Sequence, residues 1–271
     1  ALGCPIETIS LVEGDTDRVL FGHGTWGSRS TVTSGIAVMK ASALLNQKCR
    51  AIAAHAFEAD VGDVVLQRGV ATLRGTDLRM TMREIAQIAH QGGRLPDGMD
   101  PGLEQVAFHD PEDRSYASGF HFCAVEVDKT TGRVKLLRYG VIDDCGRIIN
   151  PLIIEGQAHG GIAQGIGQAL MEECAFDEQT GQPLSGSFQD YAMPRAMDFP
   201  LFKVGTHETP SPSTPMGVKG AGESGTIGAL AAVRNAVVDA LWDDGVRHIE
   251  MPILPHKVWS SLHSASPMDA A

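Results

Sequence analysis

Glu223 lies inside a glycine-rich run, Gly220-Ala-Gly-Glu-Ser-Gly225, directly before an apolar-periodic stretch that reads as a helix. A carboxylate there has two uses. It can stabilise the positive end of the helix dipole, the commoner role of an acid in a first turn. It can also act as a general base, because glycine neighbours let a ligand come close and strip water from the carboxyl group. Residue physics alone leaves both readings open. The run matches the GxGxxG pattern of dinucleotide-binding folds, as does Gly22-His-Gly-Thr-Trp-Gly27. That pattern needs a strand before the loop, a helix opening on it, and an acid about 20 residues later for the ribose. The first loop is followed by more turn-prone residues and meets no acid until Glu58. The second opens a helix, but Thr209-Pro-Ser-Pro-Ser-Thr-Pro215 before it is unsuited to a buried parallel strand. What survives is a backbone able to approach a ligand, with N–H groups that favour an anion such as a phosphate.

The remaining chemistry-bearing side chains form no comparable group. His23, His55, His121, His159 and His207 lack metal-ligand spacing and read as structural or surface residues. The five cysteines (Cys4, Cys49, Cys123, Cys145 and Cys174) are widely spaced and include no CxxC pair of the iron–sulfur or structural zinc kind. Free thiols in a reducing compartment, the cytoplasm, are therefore expected. Cys145 has no adjacent base and is not read as a nucleophile.

The chain has 271 residues, 43% hydrophobic and 20% charged, enough to bury a sizeable core. Lys and Arg total 22 against 33 acids, for a net charge of −11, and no basic stripe marks a nucleic-acid surface. No run of 18 apolar residues points to a membrane span, and the opening residues do not read as a signal peptide, so none is expected. The opening, Ala1-Leu-Gly-Cys-Pro-Ile-Glu7, has no methionine and moves quickly into a strand-like stretch, so a split or cleaved subunit is expected.

The elements that must position these residues are partly legible. Ile9 to Val12 reads as a short strand, and Ile36 to Ala59 as a long amphipathic helix with Val38, Ala41, Leu44, Leu45, Ile52 and Ala56 on its apolar face. Val64 to Leu73, with Gly69 inside, alternates like a hairpin, and Thr81-Met-Arg-Glu84 offers a capping box for a helix through Ala89. Gln91 to Pro111 is a surface connection. Two strands, Phe122 to Asp128 and Arg133 to Ile142, flank a turn. Cys145 to Pro151 breaks the pattern, Gly156 to Glu173 reads as a glycine-rich helix, and Thr226 to Trp242 as the last clear one. The fold class is α+β, mixed sheets with packed helices, with an expected division into lobes at 1–120 and 121–271.

Several motifs, in order, carry a family resemblance. They are Gly14-Asp-Thr-Asp-Arg18, Gly24-Thr-Trp-Gly-Ser-Arg-Ser-Thr31, Asp143-Asp-Cys-Gly-Arg-Ile-Ile-Asn-Pro151, Gly156-Gln-Ala-His-Gly-Gly-Ile-Ala-Gln-Gly165, Asp190-Tyr-Ala-Met-Pro194 and Met216-Gly-Val-Lys-Gly-Ala-Gly-Glu-Ser-Gly-Thr-Ile-Gly228. Together they resemble the large subunit of the xanthine oxidase and aldehyde oxidase family of molybdenum hydroxylases, closest in style to its carbon monoxide dehydrogenase-like bacterial branch. The likeness covers nearly the whole chain, as the C-terminal part of the molybdopterin-binding region.

The resemblance implies a molybdenum-pyranopterin cofactor, in bacteria usually molybdopterin cytosine dinucleotide, with the metal held by the pterin dithiolene and not by protein side chains. Ser28, Arg29, Ser30 and Thr31 match one cofactor loop. Gln157 matches an amide at a helix start, and Lys219, Gly220, Ala221, Gly222 and Ser224 match a further loop. Glu223 falls on the family's catalytic carboxylate, which takes the proton from a Mo–OH group so that its oxygen attacks an electron-poor carbon. Family substrates are N-heteroaromatics, purines, aldehydes and, in one branch, carbon monoxide. Ordinary readings stand beside these roles: Ser28, Ser30 and Thr31 as turn residues, Arg29 in a surface ion pair, Gln157 as a helix cap. Implied partners are a chain carrying the N-terminal half of the subunit, an iron–sulfur subunit and a flavin subunit bearing FAD. Two rivals are carried forward, a dinucleotide-binding dehydrogenase domain and a non-catalytic assembly half.

Overall fold

An Arg68-Gly69 turn with φ of 49° and 71° reverses the chain between β1 (Val64–Gln67) and β2 (Val70–Leu73), the left-handed pair that a two-residue hairpin demands. The computed structural model describes residues 1–19 and 21–264, and its contacts fall into two compact units. The first comprises Ala1–Trp26 and Thr33–Pro111. Here β3 (Arg79–Thr81) extends the hairpin to three antiparallel strands and runs into the second of two helices, α1 (Ile36–Ala56) and α2 (Met82–Ala89). The expected capping box is formed: Thr81 Oγ1 accepts from the Glu84 N–H, and Glu84 Oε2 accepts from the Thr81 N–H at 2.7 Å. Cys49, Ile52 and Ala53 of α1 pack with Val64, Leu66, Ala71, Ile85 and Ile88 as one core. Arg50 donates to the Val61 and Val64 carbonyls, stitching the helix to the sheet.

Two expectations change in this unit. No strand forms over residues 9–12: Ile9 and Leu11 are exposed, and no described neighbour supplies the ladder hydrogen bonds that a strand requires. Val38 and Leu44, expected on the apolar face of α1, are also exposed, as is Ala56 at its last position. A helix of 21 residues spans roughly 30 Å, whereas four-residue strands cover roughly 13 Å, so this sheet reaches only its C-terminal half.

The second unit, Gly27–Val32 with Glu112–Ala271, is built on the long hairpin β4 (Ser118–Val127) and β5 (Val134–Asp144). Strand β6 (Phe202–Thr206) pairs parallel to β5 on its far side, so the order is β4-β5-β6. The crossover from β5 to β6 contains helix α3 (Pro151–Leu170); α4 (Ser224–Ala240) and α5 (Pro255–Ser264) follow. Tyr139 and Val141 of β5, Ile162 and Ile166 of α3, and Val233 and Val237 of α4 share one core, which puts the helices on a single face of the sheet. The fold is α+β. Helix α3 begins five residues before the expected Gly156, because Asn150 and Pro151 form its start and not a break. Asn150 Oδ1 accepts from the Leu152 and Ile153 N–H groups, and proline at the first position lacks a donor that would go unused there.

Candidate cofactor site

Glu223 occupies the position before the first turn of α4, yet its side chain makes no capping hydrogen bond. Its Oε2 instead accepts a hydrogen bond of 2.6 Å from Ser28 Oγ, across 195 residues of sequence. Both residues belong to the second unit. Ser28 holds φ of 55°, the left-handed region that a serine enters at a cost, as residues at ligand sites often do. Backbone crowding brings the loops together. A Cβ on Gly220 would overlap the Ser28 carbonyl oxygen and lie 2.7 Å from Ser28 Cβ, while one on Gly222 would stand 3.4 Å from Ser28 Oγ and 3.7 Å from Gln157 Oε1. Ser28, Gln157, Gly220, Gly222 and Glu223 thus meet in one place. Gln157 belongs to the body of α3 and not to its start, where Asn150 is the cap.

The other expected residues take varied positions. Ser30 and Thr31 are exposed at the turn into α1, and Arg29 is half-buried beside them. Ala221 and Ser224 lie at the loop's far end, with Ser224 Oγ 3.1 Å from the Ala221 carbonyl and 3.0 Å from Asp143 Oδ2. Lys219 directs its ammonium to Asp144 Oδ2 at 3.0 Å, with both side chains largely shielded, so its charge is engaged within the protein. Its backbone N–H donates to the Cys145 carbonyl.

Asp144 is a structural hub that the sequence reading did not single out. Its Oδ1 accepts from the Gly146 and Thr209 N–H groups at 2.9 and 3.0 Å, and its Oδ2 from Lys219. Burial pushes its carboxyl up, but the Thr209 and Gly146 donors and the Lys219 ammonium outweigh this and hold it well below the usual carboxylate range. The end of β5 is thereby tied to both edges of the Pro-rich stretch that delivers Gly220. Asp143 was not singled out either, and His121, read as structural or surface, has a structural place in the interior. The side chain of His121 is 6% exposed; its Nδ1 sits 2.7 Å from the Tyr139 hydroxyl and its Nε2 3.8 Å from Asp143 Oδ1. The one available signal was the paired aspartate at the end of a predicted strand. Cys145 is buried, which pushes its thiol up, away from nucleophilic use.

Burial also lowers the basicity of His121 below 6.5, with Asp143 opposing the shift only partly. The folded chain therefore resists a proton that the unfolded chain accepts. This stabilising contribution is present above about pH 6.5 and is lost as pH falls through the folded value. We expect His121→Gln to flatten the fall in melting temperature between pH 8 and pH 5, measured against the parent under identical buffers.

No strand precedes the Gly220 loop, since β6 ends at Thr206 and the Pro-rich stretch intervenes. The dinucleotide-fold reading loses its first element. No group of three His, Cys, Asp or Glu side chains converges among the described residues. The groups that do converge are a hydroxyl, an amide and glycine backbone, which suit hydrogen bonds to the organic part of a cofactor.

Residues 1–200 match the family model of the molybdopterin cofactor-binding domain. The chain belongs to this family. Its relatives include the carbon monoxide dehydrogenase large chain of Hydrogenophaga pseudoflava, 41% identical over 96% of this chain and 32% of the relative. The nicotine 6-hydroxylase large subunit of Paenarthrobacter nicotinovorans is also 41% identical, over 95% of this chain and 32% of its own. Among solved structures, the Cu,Mo-CO dehydrogenase in its carbon monoxide reduced state superposes with a TM-score of 0.83 at 37% identity, covering 92% of this chain and 31% of that one. The quinoline 2-oxidoreductase of Pseudomonas putida 86 gives 0.82 at 36%, over 91% and 31%. The chain therefore spans about a third of the length of these relatives. The fold of the family's molybdenum-binding large chain and the α+β architecture of this one agree.

Among the site's contacts, the Gly220–Ser28 approach leaves no room for a methyl group. Gly220→Ala is expected to push the Ser28 loop away at a cost of roughly 1–3 kcal/mol. A melting temperature below that of the parent checks it.

Proposed function

We propose that this chain supplies part of the cofactor pocket and the catalytic base of a molybdenum hydroxylase, acting within a complex. The observation that carries the proposal is the Glu223 carboxylate, held by Ser28 Oγ at 2.6 Å among Gly220, Gly222 and Gln157. Gln157, Ser28 and the Gly220–Gly222 backbone would hold the pterin and its nucleotide, which we assign as a cytosine dinucleotide. Lys219 and Ser224 brace that loop from behind through Asp144 and Asp143. When bound, the cofactor supplies a two-electron redox centre. Glu223 takes the proton from the water-derived oxygen that attacks the substrate, and Ser28 keeps its carboxylate aimed during that transfer. No capping bond diverts the carboxylate to the helix start, which favours the base over the dipole role.

The substrate class is a small molecule with an electron-poor carbon, such as an N-heteroaromatic or an aldehyde. Two relatives carry such activities in their names, nicotine 6-hydroxylase and quinoline 2-oxidoreductase. Electrons leave through an iron–sulfur subunit and a flavin subunit. Further polypeptide corresponding to the rest of the large subunit completes the pocket. All five cysteines are free thiols, which supports a cytoplasmic setting, and no described helix is long and apolar enough to cross a membrane.

The test is isotopic. The purified complex, turning over an N-heteroaromatic or aldehyde with a dye as electron acceptor in labelled water, should place one labelled oxygen in each product. Product without the label would reject a hydroxylation that draws its oxygen from water.

A further inference from the structure

We propose that Asp143 is a positioning residue for Glu223, acting through the Ser224 hydroxyl that it holds at the first turn of α4. The inference rests on the reading of Glu223 as the base. Asp143 is 2% exposed, and its Oδ1 finds no hydrogen-bond partner among the described residues. A buried carboxylate oxygen without a partner is costly, so its retention calls for a compensating role. Its other oxygen lies 3.0 Å from Ser224 Oγ, and Ser224 directly follows Glu223 in the chain.

The surroundings are shaped to keep this carboxylate in place. A Cβ at Gly119 would overlap Asp143 Oδ1, and one at Gly228 of α4 would overlap the His121 ring. His121 is in turn held by the Tyr139 hydroxyl, which is itself in the core. Sheet and helix thus meet through Tyr139, His121, Asp143 and Ser224, with no side-chain carbon interposed at Gly119 or Gly228. This contact fixes the first turn of α4 against β4 and β5. That turn and the Ser28 hydroxyl together hold Glu223 at its backbone and at its carboxylate.

The experiment compares Asp143→Asn, Asp143→Ala, Ser224→Ala and the double alanine variant in the assembled complex, with kcat and KM expressed per bound molybdenum. Asp143→Ala and Ser224→Ala should each lower kcat about tenfold with KM little changed, the coupling expected within one hydrogen-bond network. The double variant should be no worse than the poorer single one. Asp143→Asn, which keeps an acceptor facing Ser224, should restore most of the rate. Parent kcat in Ser224→Ala, or independent losses that multiply in the double variant, would overturn the proposal. If Asp143→Ala does not assemble, Ser224→Ala and Asp143→Asn still decide it. Glu223→Gln separates the two levels: a dead Glu223→Gln beside a fully active Ser224→Ala rejects positioning alone, whereas an active Glu223→Gln rejects the base reading beneath it.

Discussion

Replacing Glu223 by Gln in the assembled complex is expected to lower turnover by about two to four orders of magnitude, the range for losing a positioned general base. Glutamine keeps the shape of the side chain and an oxygen that accepts from Ser28 Oγ, so the contact at 2.6 Å has a neutral replacement. What disappears is the capacity to take a proton. Molybdenum content and KM should therefore stay close to the parent while kcat falls. The helix-dipole reading predicts a different outcome. A charge at the start of α4 would contribute roughly 0.3–1 kcal/mol, so its removal would lower the melting temperature slightly and leave the rate alone. Steady-state kinetics with metal analysis on the same preparation discriminates between these outcomes.

The second large effect concerns the seam between α3 and α4. Gly165→Val is expected to destabilise the second unit by roughly 3 kcal/mol, at the upper end for overpacking, because its clash is partly with backbone. A Cβ there would lie 2.6 Å from Ala229 Cβ and 2.7 Å from the Thr226 carbonyl oxygen. Gly161 and Gly225 are similarly tight, with added carbons 2.9 Å from the Thr226 nitrogen and 2.8 Å from the Ala158 carbonyl oxygen. The two helices touch through backbone at three glycines. That contact carries Gln157 of α3 to the Glu223 loop that opens α4. Thermal melting should register the loss as a drop of about 2–4 °C per kcal/mol. Gln168→Ala, on the exposed side of α3, should stay within about 0.5 kcal/mol of the parent and serves as the control.

Elements whose signals are local were legible. The Thr81–Glu84 capping box, the Arg68-Gly69 hairpin and the β4–β5 pair are each decided by neighbours in sequence, although β4 opens at Ser118, before the expected Phe122, and β5 ends at Asp144, after the expected Ile142. Strand 9–12 failed because alternation supplies an apolar face but not a partner. The start of α3 was misplaced because proline was read as a breaker, although after a capping asparagine it opens a helix. The site divides the same way. Glu223 was readable as a carboxylate among glycines, a candidate base or a helix-dipole partner, but its contact with Ser28 spans 195 residues, beyond the reach of any local pattern. His121, read as structural or surface, is buried in a polar network that no spacing rule could reveal, since Asp143 and Tyr139 reach it across the sheet. The Lys219 ammonium pairs with Asp144 across 75 residues, a contact that its place in the loop did not reveal.

Elemental analysis and nucleotide release on the complex that contains this chain test the account most directly. About one molybdenum and one cytosine nucleotide per copy are expected, because the Ser28, Gln157 and Gly220 segments form a single cradle at a helix start. A complete complex that turns over its substrate while holding a nicotinamide or flavin dinucleotide in this chain, and no molybdenum, would contradict it.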